Sequence, residues 1–298
     1  MRPPVPLRGR GPPGDAPITR RIAFINEKGG SAKTTLVANI AAYLALHRAR
    51  RVLGIDMDPQ GQLGKVFGID VQRSQRSSID LLLDTVLADD PIGSPGAALD
   101  AGGDGALPIQ STDVPHLDLV IANKSLALLP GWDAEHDDPT DRLRRTLARS
   151  RRARDYDFIL MDAPPSFGPL TLNVLRAAEE VVIPVPLTYL ALDGCAELVR
   201  SIRTVRTRYG NAKLRISMVI PTFYRRTKLA HEVLDRLKTR FPKEIAHTVL
   251  GFHVKIDEAQ SRGVSIFEYA PSSRGAKALA AIAEELELRE PPPEGSAP

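Results

Sequence analysis

The sequence predicts an α/β domain built on a doubly wound, mostly parallel sheet with helices on both faces. Three observations carry this. Short apolar runs recur along the chain with helical stretches between them, the alternation that parallel sheets require. The first run passes through a glycine-bearing turn into an apolar-periodic segment, Leu36-Val37-Ala38-Asn39-Ile40-Ala41-Ala42-Tyr43-Leu44, which reads as strand, loop and helix. Two later runs end in aspartate, and carboxylates at the C-terminal ends of parallel strands sit in the crevice where such sheets take ligands.

Taken in order, strands are expected over 22–25, 52–55, 117–121, 158–161, 181–185, 216–220 and 248–250. The run Phe158-Ile159-Leu160-Met161 is continuously apolar rather than alternating, as strands buried on both faces are. A helix is expected over 79–87 and a last one over 276–288. The segment 89–115, rich in Gly, Pro, Ala and Asp, reads as an expanded, disordered surface loop. Residues 1–20 carry prolines among Arg2, Arg8 and Arg10 and read as a basic disordered tail. Such a tail suits either a nonspecific DNA or partner contact or an inert extension. Residues 289–298 read as a second disordered tail, so the folded domain is expected over 21–288.

Composition narrows the function. The chain has 298 residues, 43% hydrophobic but only 5% aromatic, so its core is expected to be mostly Leu, Val, Ile and Ala. The single cysteine, Cys195, excludes a disulfide framework and any multi-cysteine metal site. The six histidines show no i, i+4 pairing suited to a metal. Ser166 lacks the G-x-S-x-G setting of a hydrolase nucleophile. Trp132, in Pro130-Gly131-Trp132, suits either the core or an interface. No run of about 18 apolar residues is present, and no apolar signal region opens the chain, so a cytoplasmic location is expected.

The chemistry lies in Glu27-Lys28-Gly29-Gly30-Ser31-Ala32-Lys33-Thr34-Thr35. Backbone N–H groups of such a loop, with a helix N-terminus behind them, form a cradle for phosphate oxygens. Lys33 suits the β/γ-phosphates, and the Thr34 hydroxyl suits Mg²⁺. The strict pattern G-x-x-x-x-G-K-[ST] is not met, because Glu27 and Ala32 stand at its glycine positions. Ala32 is strained if the backbone there needs a positive φ and harmless if it already enters the helix. A second motif follows, Asp56-Met57-Asp58-Pro59-Gln60-Gly61, and a third, Asp162-Ala163-Pro164-Pro165. Asp162 occupies the place of an acid that binds Mg²⁺.

The early lysine makes a resemblance specific. K-G-G-x-x-K-T-T resembles the deviant Walker A motif of the ParA/MinD superfamily of P-loop ATPases. The D-x-D-P-Q-G run resembles the second motif of its ParA branch. Further resemblance lies in Pro184 through Gly194, Phe223 through Leu229, Val254 through Gly263 and Tyr269 through Ala278, so that it covers about residues 20 to 288 and looks like the short, Soj-like branch. The iron protein of nitrogenase shares the loop but needs cysteine pairs that this sequence lacks.

The resemblance implies a dimerising, Mg²⁺-dependent ATPase. Lys28, Gly29, Gly30, Ser31, Ala32, Lys33, Thr34 and Thr35 would hold ATP, with Lys28 reaching the nucleotide of the partner subunit. Asp58 would orient the attacking water, and Thr34, Asp56 and Asp162 would serve the metal. Nonspecific double-stranded DNA would meet Arg226 and Lys255, with Arg225, Lys228 and Arg262 as neighbours. A ParB-like or cargo-adaptor protein would accelerate hydrolysis, with the chain nucleoid-associated in the cytoplasm.

Charge agrees with a nucleic-acid partner. The formal net charge is only +4, but arginines crowd Arg142 through Arg154, recur at Arg200, Arg203, Arg206 and Arg208, and return at Arg225, Arg226, Arg236 and Arg240. Stripes of this kind attract phosphates without reading bases, although solvated helix faces look the same. Two rival readings remain: a nucleotide-locked DNA scaffold, raised by Ala32, and a MinD-like membrane positioner. Against the second, the last helix carries Glu284, Glu285 and Glu287 and ends in prolines, unlike a basic amphipathic membrane helix.

Overall fold

The structure is a computed structural model that describes residues 19–87, 107–128, 138–189 and 191–289. In the first half it contains β1 (Arg20–Phe24), α1 (Lys33–Arg48), β2 (Val52–Asp56), α2 (Gln62–Val66), α3 (Asp80–Leu87), β3 (Gln110–Ser111), β4 (Leu117–Val120) and α4 (Arg142–Arg149). Then follow β5 (Phe158–Asp162), α5 (Pro169–Ala177), β6 (Glu180–Pro186), α6 (Ala191–Arg208), β7 (Arg215–Tyr224) and α7 (Lys228–Arg240). The last elements are β8 (Leu250–Gly251), α8 (Val254–Ser261), α9 (Ile266–Tyr269) and α10 (Arg274–Leu288).

The strands form one sheet in the order β3-β4-β2-β5-β1-β6-β7-β8, parallel throughout except for β3. Helices cover both faces. On one face lie α3 to α7, with Leu81, Leu143, Val174, Leu198 and Val233 in a single apolar cluster. On the other lie α1, α2 and α8 to α10, with Leu36, Leu63, Ile256, Ile266 and Leu279. The helix α1 is buried continuously from Leu36 to Ala45, because it runs between the sheet and α10. A helix apolar all round belongs in such a place.

All seven expected strands are present, with shifted ends. β7 extends to Tyr224, passing Phe223 at φ 53°, where its register against β8 slips. The strand β3 lies within the stretch read as a loop, and from Leu107 onward that stretch is ordered, with Leu107 and Val114 buried. Residues read as tail join the fold at both ends: Arg20 belongs to β1, and the Arg289 guanidinium donates to the carbonyls of Glu244 (2.9 Å) and Ile245 (3.0 Å). Residues 1–18, 88–106 and 290–298 and Trp132 lie outside the described residues.

A buried ion pair joins the two ends of the domain. Arg20 makes a two-pronged contact with Glu180 (2.8 and 2.9 Å) and donates to the carbonyls of Leu286 and Glu287 at the end of α10 (both 3.1 Å). Arg215 adds a second cation 3.2 Å from Glu180. Removing one member of such a set leaves an uncompensated buried charge and costs about 3–5 kcal/mol.

Candidate active site

The candidate residues gather at the carboxyl edge of the central strands β2, β5, β1 and β6. The chain leaves β1 into a loop organised by Asn26, whose carboxamide donates to the Pro184 carbonyl at the end of β6 (2.6 Å) and accepts from the Lys28 N–H (2.8 Å). Gly29 and Gly30 are exposed, Gly30 at φ 67°, and open space surrounds both. Ala32 takes φ 73° and ψ 21°, so its backbone is left-handed, the strained alternative of the two that the sequence leaves open. No side chain caps α1, which leaves the N–H groups of its first turn directed at the loop.

Lys33 is buried and folds back over this loop, its ammonium 3.0 Å from the Asn26 carbonyl and 3.4 Å from that of Lys28. Burial lowers its pKa, and the carboxylates of Asp162 and Asp58 oppose that shift. Thr34 donates its hydroxyl to Asp162 Oδ2 at 2.5 Å. The other oxygen, Asp162 Oδ1, is buried with no hydrogen-bond partner. Burial pushes the Asp162 carboxyl up to about 7, opposed by the Thr34 hydrogen bond and the Lys33 charge.

Asp56 and Asp162 are register partners on β2 and β5, both fully buried. Asp56 is raised well above the usual carboxylate range, first by burial and then by Asp162. Its oxygens accept from the N–H groups of Asp58 and Leu63, both at 3.0 Å. Asp56 therefore builds the turn that carries Asp58. Gly61, at φ 61°, closes that turn against the Ala122 carbonyl, where a Cβ would come within 2.5 Å. Asp58 itself is part-exposed and accepts from the Gln60 N–H at 3.0 Å.

These residues fit a magnesium–nucleotide. An orphaned buried carboxylate oxygen beside a hydroxyl and a second buried acid is a site short of positive charge. Mg²⁺ commonly takes one or two carboxylates and completes its shell with phosphate and water.

The basic residues divide. Arg142 is buried, and Arg144 and Arg145 pair with Asp141, which also takes Arg176 of α5, so three arginines of the Arg142 to Arg154 run are held locally, while Arg149, Arg151, Arg152 and Arg154 are exposed. Arg225, Arg226 and Lys228 are exposed just past β7, with no ion pair among the described residues. Lys255 on α8 and Arg262 just after it, past the adjacent strand β8, are also exposed and lie over the Tyr269 ring at 5.6 and 5.2 Å. Lys255 is pre-engaged, pairing with Glu258 at 2.7 Å. Lys28 extends its stem along α6, its Cε 3.7 Å from the place a Cβ on Gly194 would take.

Sequence reasoning missed Asn26, Thr222 and Gln260. Asn26 had a signal, since Asn before a Gly-Gly turn commonly accepts a backbone N–H two residues on. Thr222 donates to the Ser31 carbonyl (3.3 Å) and Gln260 to the Thr35 hydroxyl (2.9 Å), contacts across about 190 or more residues that no local pattern announces.

Comparison with known proteins agrees with this geometry. The model of a family described as an AAA domain matches residues 19–216. The chain is 38% identical to the chromosome-partitioning ATPase Soj of Thermus thermophilus, over 91% of this chain and 96% of that protein. It is 33% identical to the chromosome partitioning protein ParA of Myxococcus xanthus, over 95% and 93% respectively. A crystal structure of cobyrinic acid a,c-diamide synthase from Mycobacterium smegmatis, with bound ATP analogue and magnesium, superposes with a TM-score of 0.72. That protein is 30% identical, and the match covers 94% of this chain and all of the other.

Proposed function

The chain belongs to the Soj/ParA family of chromosome-partitioning ATPases, and from that premise we propose that it is an ATP-dependent dimer that binds DNA nonspecifically and moves or positions a DNA cargo. Its enzymatic activity is hydrolysis of ATP with Mg²⁺. The observation that carries the site assignment is the Thr34–Asp162 contact beside an unpartnered buried oxygen of Asp162. Thr34 and Asp162 would hold the cation, Asp162 through water. Mg²⁺ there would neutralise phosphate charge as the β–γ bond breaks.

The chain's own residues do the rest. Lys33 leaves its two carbonyl partners for the β/γ-phosphates, which supply a full counter-charge in their place. The N–H groups of Ser31, Ala32, Lys33 and Thr34 cradle the phosphate oxygens, with Thr35 behind them. Asp58 orients water for in-line attack on the γ-phosphorus, and Asp56 fixes the turn that places it. Lys28 reaches the partner subunit's nucleotide. Tyr189, Leu229, Phe252 and Val254, all apolar and 43% to 74% exposed past β6, β7 and β8, support a partner surface at this same edge.

Arg225, Arg226, Lys255 and Arg262 would meet DNA phosphates. A ParB-like protein would speed turnover and so release the dimer. Among the described residues no helix is long and apolar enough to cross a membrane. The deciding experiment measures phosphate release by purified protein with ATP and Mg²⁺, alone, with plasmid DNA, and with DNA plus the ParB-like protein. Turnover stimulated by DNA and partner together is expected. Nucleotide binding without turnover under all three conditions would favour the locked-scaffold reading. ATP-dependent sedimentation with liposomes but not with DNA would favour the membrane reading.

A further inference from the structure

We infer that Thr222 and Gln260 are positioning residues that couple occupancy of the phosphate loop to the two basic elements beside it, the turn bearing Arg225, Arg226 and Lys228 and the helix α8. The inference rests on the nucleotide reading above and deepens it.

Each basic element is tied to the loop by one side-chain donor. Thr222, fully buried in β7, donates its hydroxyl to the Ser31 carbonyl at 3.3 Å. Three residues later comes Arg225, and between them Phe223 holds a positive φ of 53°. A bulky residue in that region is strained and stays there only when its surroundings impose it. The strand end is thus held in shape on one side by the phosphate loop.

On α8, Gln260 donates its carboxamide N–H to the Thr35 hydroxyl at 2.9 Å. The same unit is fastened again at Ile266, whose N–H donates to Asn39 Oδ1 at 3.0 Å, while Asn39 donates to the Thr35 carbonyl at 2.8 Å. Gly263, at φ 68°, lies so close to Gly68 that a Cβ there would meet its Cα at 2.7 Å. Residues 254–269 are therefore fastened both to the first half of α1 and to the turn after α2.

Both ties have the same electrical sense. The Ser31 carbonyl and the Ala32 N–H belong to one peptide unit, so an N–H given to a phosphate oxygen makes that carbonyl a better acceptor for Thr222. The Thr35 hydroxyl accepts from Gln260 and keeps its own proton for a phosphate, which strengthens the bond it accepts. Chained hydrogen bonds reinforce one another by roughly 10–30% per bond. Phosphate in the loop therefore tightens both basic elements, and by linkage a ligand that tightens them favours phosphate.

The test is amide hydrogen exchange of the full chain with and without Mg·ADP, followed in peptides spanning 222–229 and 254–269. In the unsubstituted protein ADP should slow exchange in both segments by up to about twofold, what a 10–30% gain on one hydrogen bond of ordinary net strength supplies. Thr222→Val should lose the slowing in 222–229 only, and Gln260→Met in 254–269 only, while the phosphate loop stays protected in both. Each variant is the folding control of the other. A merely structural role would raise exchange equally with and without ADP and leave the difference intact, which would overturn the coupling. ADP binding without a response in either segment would overturn it too while leaving the nucleotide site standing. No ADP binding at all would overturn both.

Discussion

Replacing Ala32 by glycine should stabilise the nucleotide-free protein. Ala32 sits at φ 73° and ψ 21°, left-handed, ahead of the first turn of α1. An L-residue with a Cβ pays about 1–2 kcal/mol for that conformation. Glycine escapes the clash but loses about 0.5–1 kcal/mol through the greater freedom of its unfolded chain. The difference favours Ala32→Gly by about 0.5–1 kcal/mol, and a chain of this size should then melt roughly 1–3 °C higher. Ala32→Val, with a branched Cβ in the same conformation, should move the other way by more. Thermal unfolding followed by circular dichroism without nucleotide is the assay. A lower melting temperature for Ala32→Gly, or no destabilisation in Ala32→Val, would mean that the loop does not hold this backbone.

Three further outcomes are expected. Asp58→Ala should bind ATP and remain on DNA while phosphate release falls by about 100-fold or more, since the loop and α1 are untouched; unchanged turnover in the purified variant would remove Asp58 from the water-positioning role. Arg226→Glu should weaken binding to unrelated duplexes alike and flatten the plot of log K against log salt by roughly 0.9 for each phosphate no longer neutralised, which gel shifts over a salt series would read. Cys195 is buried and its pKa is pushed up to about 11 from an ordinary 9.0, opposed by Arg240, so a thiol reagent at mildly alkaline pH should label it only after unfolding. Because the folded thiol keeps its proton longer than the unfolded one, its contribution to stability is complete below pH 9.0 and is lost as pH rises toward about 11.

What the sequence made legible follows from how local each signal is. A continuous apolar run ending in an acid identifies a buried parallel strand, so β2 and β5 and their aspartates can be read directly. The strand β3 cannot, because two residues have no period. The phosphate loop is recognisable from composition, yet the sign of φ at Ala32 is not, since Ala is compatible with either backbone until the loop is closed by Asn26 and Pro184. The arginine crowding near α4 misled for a physical reason: Asp141 precedes it, and Arg144 and Arg145 pair with that carboxylate one helical turn away. The pairing of Lys255 with Glu258, three residues apart on a helix, could have been foreseen.

The ion pair at the start of β1 has a consequence for how the chain is made. Arg20 lies on the first strand, but Glu180 follows it by 160 residues and the carbonyl of Leu286 by 266. The strand that carries it also waits for both neighbours, β5 and β6. The centre of the sheet therefore cannot close until β6, which ends at Pro186, has been made, and contacts this distant in sequence fold slowly. A chain ending before α10 would keep the pair of Arg20 with Glu180 but lose the two carbonyls of Leu286 and Glu287 that complete the guanidinium's partners, so the last helix finishes what the first strand begins.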